Sequence, residues 1–255
     1  MTKAPETIEG WYALHDMRRI DWAAWKELDE AERREAVAEA ADFLARSERA
    51  EDAGEGGSAF YAVAGHKADL MLLHLRPTLD DLVGVELAFN QIRLADFMVQ
   101  SYSYTSVIEL SRYNPGEAGA GASSEREAAL AARLKPKIPA TRYACFYPMS
   151  KKRGENDNWY TLPMERRREL MRQHGMIGRE FKDQVTQMVT GSVGFDDWEW
   201  GVTLFAEDPL PFKKLVYEMR FDEASAKYGL FGPFWVGVRL APSSIEAYMA
   251  GRLSK

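Results

Sequence analysis

The chain has 255 residues, 46% of them hydrophobic, and a net charge of -6. That length carries one large domain or two small ones, and the acidic balance argues against a nucleic-acid partner, which needs a basic face. No apolar run approaches a membrane span, and the opening MTKAPETIEGWYALHD lacks the apolar stretch of a secretory signal, so a cytoplasmic protein is expected. Cys145 is the only cysteine. It can form no internal disulfide or thiolate cluster and reads as a small buried apolar residue beside Phe146.

A first strand is predicted over Glu9 to Ile20. A helix follows from Asp29 to Ala50, with an apolar stripe at Val37, Ala41 and Leu44. The Gly-rich loop Asp52 to Ser58 leads to a strand pair, Ala59 to Gly65 and Ala68 to Leu75. Thr78 reads as the N-cap of a second helix running to about Leu94, with Asp80 and Asp81 in its first turn. Ser101 to Arg112 is a fourth strand. NPGEAGAGASS, Asn114 to Ser124, is too poor in side-chain surface to pack and reads as a mobile linker, either a gate or a spacer. Ser123 or Ser124 caps a short helix from Glu125 to Leu134.

The second half repeats the order. Tyr143 to Met149 is a strand, Met164 to His174 a helix, and Thr186 to Gly191 with Trp198 to Phe205 a strand pair. Pro211 to Tyr217 opens a helix that extends towards Lys227, and Phe234 to Leu240 is the last strand. The order βαββαβ, twice, divides the chain at 1–113, 114–139 and 140–255. Each sheet has one helix-covered face and must bury the other. The predicted fold is therefore α+β, two tandem ferredoxin-like units with their sheets packed into a barrel-like arrangement.

The stretch Arg142 to Phe205 is the richest in chemistry. Its strand is dense in aromatics, Pro148 is expected to end ordinary ladder pairing, and Ser150 to Arg153 gathers three cations at the strand's mouth. In the helix that follows, Leu170 and Met171 face inward, the arginines face out, and Gly175 stops the helix as a C′ residue. His174, in the last turn, has two readings. It caps loose carbonyls, or it ligates the iron of a porphyrin in a wide pocket; no His, Cys or acid stands at i+3 or i+4 to make a zinc site. Tyr147 is either a strand tyrosine bonded to backbone or a redox-active phenol. Met149 and Met188 read as wall or core, as do Phe195, Trp198 and Trp200.

YPMSKKRGENDNWYTLPMERRRELMRQHGMIGREF, GSVGFDDWEWGVTLF and FKKLVYEMRFDEASAKYGLFGPFWVG resemble the chlorite dismutase superfamily, and within it the coproheme decarboxylases of the Gram-positive haem pathway. The resemblance is strongest from Arg133 to Leu240. It implies haem binding in the C-terminal half, with His174 as proximal iron ligand. The implied substrate is Fe-coproporphyrin III (coproheme), which is also the redox cofactor, with haem b as product and hydrogen peroxide as oxidant. Two propionates become vinyl groups through a radical on Tyr147, with Lys151 fixing the carboxylate or managing the proton. Four propionates call for cations and hydroxyl donors, and the chain offers Arg133, Tyr113, Lys151, Arg220 and Ser225. Arg133, Lys151 and Ser225 fall at family propionate positions in RLKPKIP, YPMSKKR and DEASAKYG. Backbone amides of the segment Tyr147, Pro148, Met149, Ser150, Lys151 are implied in the same role. Gln187 matches the distal position, where chlorite dismutases carry arginine. The resemblance also implies a homopentamer and transient contact with a ferrochelatase. The alternatives are a haem-dependent peroxidase or chlorite dismutase-like enzyme, and a non-enzymatic haem carrier.

Overall fold

The computed structural model describes residues 4–112 and 124–253. Tyr113 and the linker positions 114–123 lie outside the described residues. The elements are β1 (Glu6–Ile20), α1 (Trp22–Glu27), α2 (Glu30–Glu48), β2 (Gly57–Val63), β3 (Leu70–Arg76), α3 (Leu79–Phe89), β4 (Met98–Arg112), α4 (Ser124–Leu134) and β5 (Tyr143–Lys151). They continue with α5 (Met164–Glu180), β6 (Thr186–Gly191), β7 (Trp200–Ala206), α6 (Leu210–Met219), α7 (Glu223–Ala226), β8 (Gly229–Phe231), β9 (Trp235–Leu240) and α8 (Ile245–Met249). Among the described residues no helix is long and apolar enough to cross a membrane.

The chain makes two compact units. One combines Trp11–Thr105 with Trp235–Lys255. Its strands run in the order β4-β1-β3-β2-β9, so the first four make the expected ferredoxin-like sheet and β9 adds at the β2 edge, with Phe60 opposite Leu240. β3 is buried along its whole length, as a LMLLHLR run predicts for a strand covered on both faces. Asp29 and Glu32 form a capping box that starts α2, and Phe43, Leu44, Phe60, Leu72 and Phe89 meet in the core. Thr78 caps α3 as expected, with Asp81 completing a second box. That helix ends at Phe89 instead of near Leu94, because Asn90 takes the C-cap and its side chain accepts a hydrogen bond from Arg18 at 3.0 Å.

The other unit combines Met1–Gly10 with Ser106–Phe234. Its order is β8-β5-β7-β6-β4, again ferredoxin-like in its first four strands. Three expectations about the β5–α5 segment are corrected here. Pro148 does not end pairing: it sits opposite Gly201 and the strand continues to Lys151. Its carbonyl accepts from Gly232 N at 2.9 Å on the β8 side. The missing N–H points to that side too, so the ladder to β7 loses nothing. Gly175 does not stop α5, which runs on to Glu180; a helical glycine costs only about 1 kcal/mol, and Gly175 is not at positive φ. Nor do all the arginines of α5 face out, since Arg167 is buried. Further on, the helix expected to reach Lys227 breaks between α6 and α7, where Asp222 caps the new helix by accepting from Ala224 N at 2.8 Å.

A half-buried ion pair ties a loop to the first sheet. The Arg76 side chain is fully buried and Asp52 meets its guanidinium at 2.7 and 2.8 Å. Carbonyls of Gly57 and Leu75 accept from the same group. Asp52→Ala leaves that cation without its carboxylate and should destabilise the protein by about 3 kcal/mol, read as a lower urea midpoint at unchanged slope. A loss below about 0.5 kcal/mol would show that the carbonyls suffice.

Candidate functional site

The second unit holds a half-open cavity of about 920 Å³, near the upper end for small-molecule sites. β5 supplies Tyr147, Met149 and Lys151 to its wall, because residues two apart share a strand face. The intervening Pro148 and Ser150 turn away, and Ser150 Oγ accepts from Glu199 N at 3.2 Å. Gln187 and Val189 of β6 and Trp200 and Val202 of β7 extend the sheet wall. α5 makes a helical wall with Met171, His174, Gly175, Gly178 and Arg179, at spacings of three, four, seven and eight from Met171. α6 adds Leu215, Val216 and Met219.

His174 is held from behind. Its Nδ1 lies 2.9 Å from Asp222 Oδ2, and Ser225 Oγ donates to the same oxygen at 2.7 Å. Burial pushes the Asp222 carboxyl up, but hydrogen bonds from His174, Ser225 and Ala224 N outweigh it and hold the group below the usual carboxylate range. An ionised Asp222 keeps the proton on Nδ1 and leaves the Nε2 lone pair for a ligand on the cavity side. Sequence reasoning missed Asp222, although DEASAK carries the mark of a helix N-cap.

Tyr147 is buried and stacks on Phe234, centroids 4.4 Å apart at 25°. Burial raises its phenol well above the usual range, with Cys145 adding to the rise and Arg220 opposing it. Lys151 is buried as well. Its Nζ donates to Ala224 O at 3.0 Å and lies 4.5 Å from the centre of the Trp159 ring. Burial lowers it to about 8, with Asp222 and Glu199 pulling it back up. Glu199, another residue the sequence did not single out, accepts from Lys151 N at 2.7 Å.

Arg133, on α4, is exposed and lines the cavity. Arg220 is exposed too, with its guanidinium 3.8 Å over the Phe231 ring, itself part of the wall. Ser225 borders the cavity while committed to Asp222. Arg168, Arg172, Arg179 and Lys182 join Arg133 and Lys151 there, against one carboxylate, Glu169. The sequence reading had turned the α5 arginines outward to solvent, so these cations were missed.

The wall fits an iron porphyrin. Among the described residues no three His, Cys, Asp or Glu side chains gather to hold a bare metal ion, whereas a porphyrin iron needs one protein nitrogen. A Cβ at Gly175 would stand in open space, and one at Gly178 would lie 3.3 Å from Gln187 Nε2 and Met219 Cε. Gly175 thus leaves room for a flat ring to approach the α5 backbone, while Gln187 and Met219 close the space over Gly178.

The chlorite dismutase family model matches residues 33–240. Among solved structures, a heme-binding protein from Thermus thermophilus is 43% identical over 98% of this chain and 99% of its own, with a TM-score of 0.91. A chlorite dismutase variant from Candidatus Nitrospira defluvii is 22% identical over 95% of this chain and 96% of its own, with a TM-score of 0.76. The imidazole complex of that enzyme gives 22% identity, the same coverage and a TM-score of 0.74. The last two are likenesses of fold.

Asp222→Asn should weaken ferric porphyrin binding by about 10- to 100-fold through loss of the partner that orients His174. Metal-free porphyrin should bind as before. Spectrophotometric titration with both ligands checks this, and an equal loss for both would reduce Asp222 to a fold-supporting role.

Proposed function

The chain belongs to the chlorite dismutase family, and on that footing we propose that it is a peroxide-dependent coproheme decarboxylase. Fe-coproporphyrin III is the substrate, haem b the product, and hydrogen peroxide the oxidant. One observation carries the reading: a phenol and an ammonium, Tyr147 and Lys151, share a strand face in the cavity that His174 enters from α5. The six cations of the lining support a ligand with several carboxylates. The resemblance adds a homopentamer, a cytoplasmic setting and a ferrochelatase that hands over the substrate.

Each conversion of a propionate, –CH2–CH2–COO−, to a vinyl group releases carbon dioxide, one proton and two electrons. With two protons, those electrons reduce one hydrogen peroxide to two waters. When bound, the iron porphyrin supplies the oxidising equivalents that peroxide delivers. His174 orients that group, with Asp222 and Ser225 setting the imidazole. Burial keeps the Tyr147 proton on the phenol at neutral pH, so the residue gives up a proton and an electron together and can then take a hydrogen atom from the propionate β-carbon. Stacking on Phe234 fixes the ring, which makes hydrogen transfer a matter of position. Lys151, close to half-charged near pH 8, pairs with the carboxylate until carbon dioxide leaves. Gln187 offers peroxide a hydrogen-bond donor without charge.

A second reading is a haem-dependent peroxidase of the same family. The His174–Asp222 pair favours it, because a carboxylate on the far nitrogen makes the imidazole a stronger donor. Titrating the coproheme complex with peroxide and following the porphyrin by mass spectrometry separates the two. Two successive losses of carbon dioxide plus two hydrogens mark the decarboxylase, and unchanged or bleached coproheme marks the peroxidase or a carrier.

Tyr147→Phe should abolish vinyl formation while shifting the coproheme Kd by no more than about tenfold, the cost of one hydrogen bond. Product formed at the wild-type rate would remove Tyr147 from the mechanism. Lys151 is cationic below about 8 and neutral above it. Coproheme affinity should therefore fall as pH rises through that value, and Lys151→Met should flatten the dependence. A slope that survives in the variant would assign the titration to another group.

A further inference from the structure

Two acids support the buried Lys151 ammonium from different elements. Asp222 of α7 is committed to His174 and Ser225. Glu199 is buried just before β7 and joined to the end of β5 by a reciprocal clasp. Lys151 N donates to its Oε2 at 2.7 Å, and its own N donates to Ser150 Oγ at 3.2 Å. The β5–β7 ladder ends at Met149 opposite Trp200, so Lys151 N lies past the last pair. A side chain there takes the place of the next carbonyl, while the carbonyl of Glu199 accepts from Ser192 N at 2.8 Å.

A neutral amide oxygen would satisfy Lys151 N as well. A buried carboxylate adds the desolvation of a full charge, which only a cation offsets. The Lys151 ammonium has the converse need. Its Nζ meets Ala224 O and the Trp159 ring, which carry no charge. Burial works against the ammonium, and Asp222 and Glu199 are the charges that support it. Around the cavity, Arg133 of α4 and Arg168, Arg172 and Arg179 of α5 oppose a further cation. His174 and Glu169 share that helical wall. Tyr147, on the same strand face, keeps its proton, and Glu223 of α7 is taken up by Arg166 and Lys227.

We propose that Glu199 is a positioning residue for Lys151. Its carboxylate fixes the end of β5 through the backbone N–H and keeps the ammonium charged, so that the cavity takes a carboxylate at neutral pH. The inference rests on reading the cavity as a site for a porphyrin with several carboxylates, but its first test needs no porphyrin. Charge and geometry separate in two substitutions. Glu199→Gln keeps an oxygen for Lys151 N and removes the charge, whereas Glu199→Asp keeps the charge.

Nuclear magnetic resonance on the ligand-free full chain with isotope-labelled lysine reads the charge directly, the Lys151 signal being assigned by its loss in Lys151→Met. That signal should titrate at about 8 in the wild type and at lower pH in Glu199→Gln, while Glu199→Asp stays near the wild type. Glu199→Ala repeats the charge loss if the glutamine variant fails to fold. An unchanged midpoint in the variant that lacks the charge overturns the proposal. Metal-free coproporphyrin gives the second readout. Glu199→Gln should bind it like the wild type near pH 6, where the lysine is charged in both, and near pH 10, where it is neutral in both. Between them, at about pH 7.5, it should bind roughly threefold more weakly. An equal loss at all three values would reduce Glu199 to a fold-supporting role, and so would the same loss when Glu199→Gln is made on Lys151→Met. A wild type that takes up no coproporphyrin would overturn the reading of the ligand, and the Lys151 midpoint would still decide for or against Glu199.

Discussion

Strand β5 is paired on both edges, to β7 along Tyr143–Met149 and to β8 along Met149–Lys151. That double pairing is the constraint from which the site follows. A strand held on two sides cannot slip by one residue without turning every side chain to the other face. The register that puts Tyr147, Met149 and Lys151 in the cavity puts Pro148 and Ser150 behind it. Pro148 is tolerated in this position because its absent N–H faces the short strand β8, where its carbonyl still finds Gly232.

Behind the sheet wall and the helical wall lies one polar system. Asp222 caps α7, orients His174 and accepts from Ser225. Glu199 takes the backbone N–H of Lys151, and the Lys151 ammonium ends on a carbonyl of the helix that Asp222 starts. Each buried polar group is thus satisfied by one that also positions another. The cost of burial is a lysine brought close to neutrality, which suits the role proposed for it, holding a carboxylate and then letting it go.

The two units share a strand order, yet only the second has this cavity among its described residues. In the first, His15 and His74 are fully surrounded, and burial lowers both to about 3. His74 Nδ1 is engaged by Ser58 Oγ at 2.7 Å. A histidine locked into a core this way is a packing residue. The same fold therefore holds a wide cavity in one half and a packed core in the other, and the difference lies in side chains rather than topology.

Most of the elements were legible in the chain before any coordinates. Thr78 marked the start of α3, the family resemblance brought Tyr147 and Lys151 into one site, and the repeated βαββαβ order foretold two ferredoxin-like sheets, though Phe234 to Leu240, read as the last strand of the second, pairs with β2 of the first. The cap and strand signals are local, written within a few residues of where they act. What depends on distant partners was settled only by the folded molecule. Gly175 reads locally as a helix end, yet α5 continues because the glycine keeps an α conformation along the cavity wall. A run of arginines reads as solvated until a sheet is placed across from it. Asp222, 48 positions from His174, reads only as a cap. Its role as the partner of that imidazole arises from a break between two helices, a break made by its own hydrogen bond to Ala224.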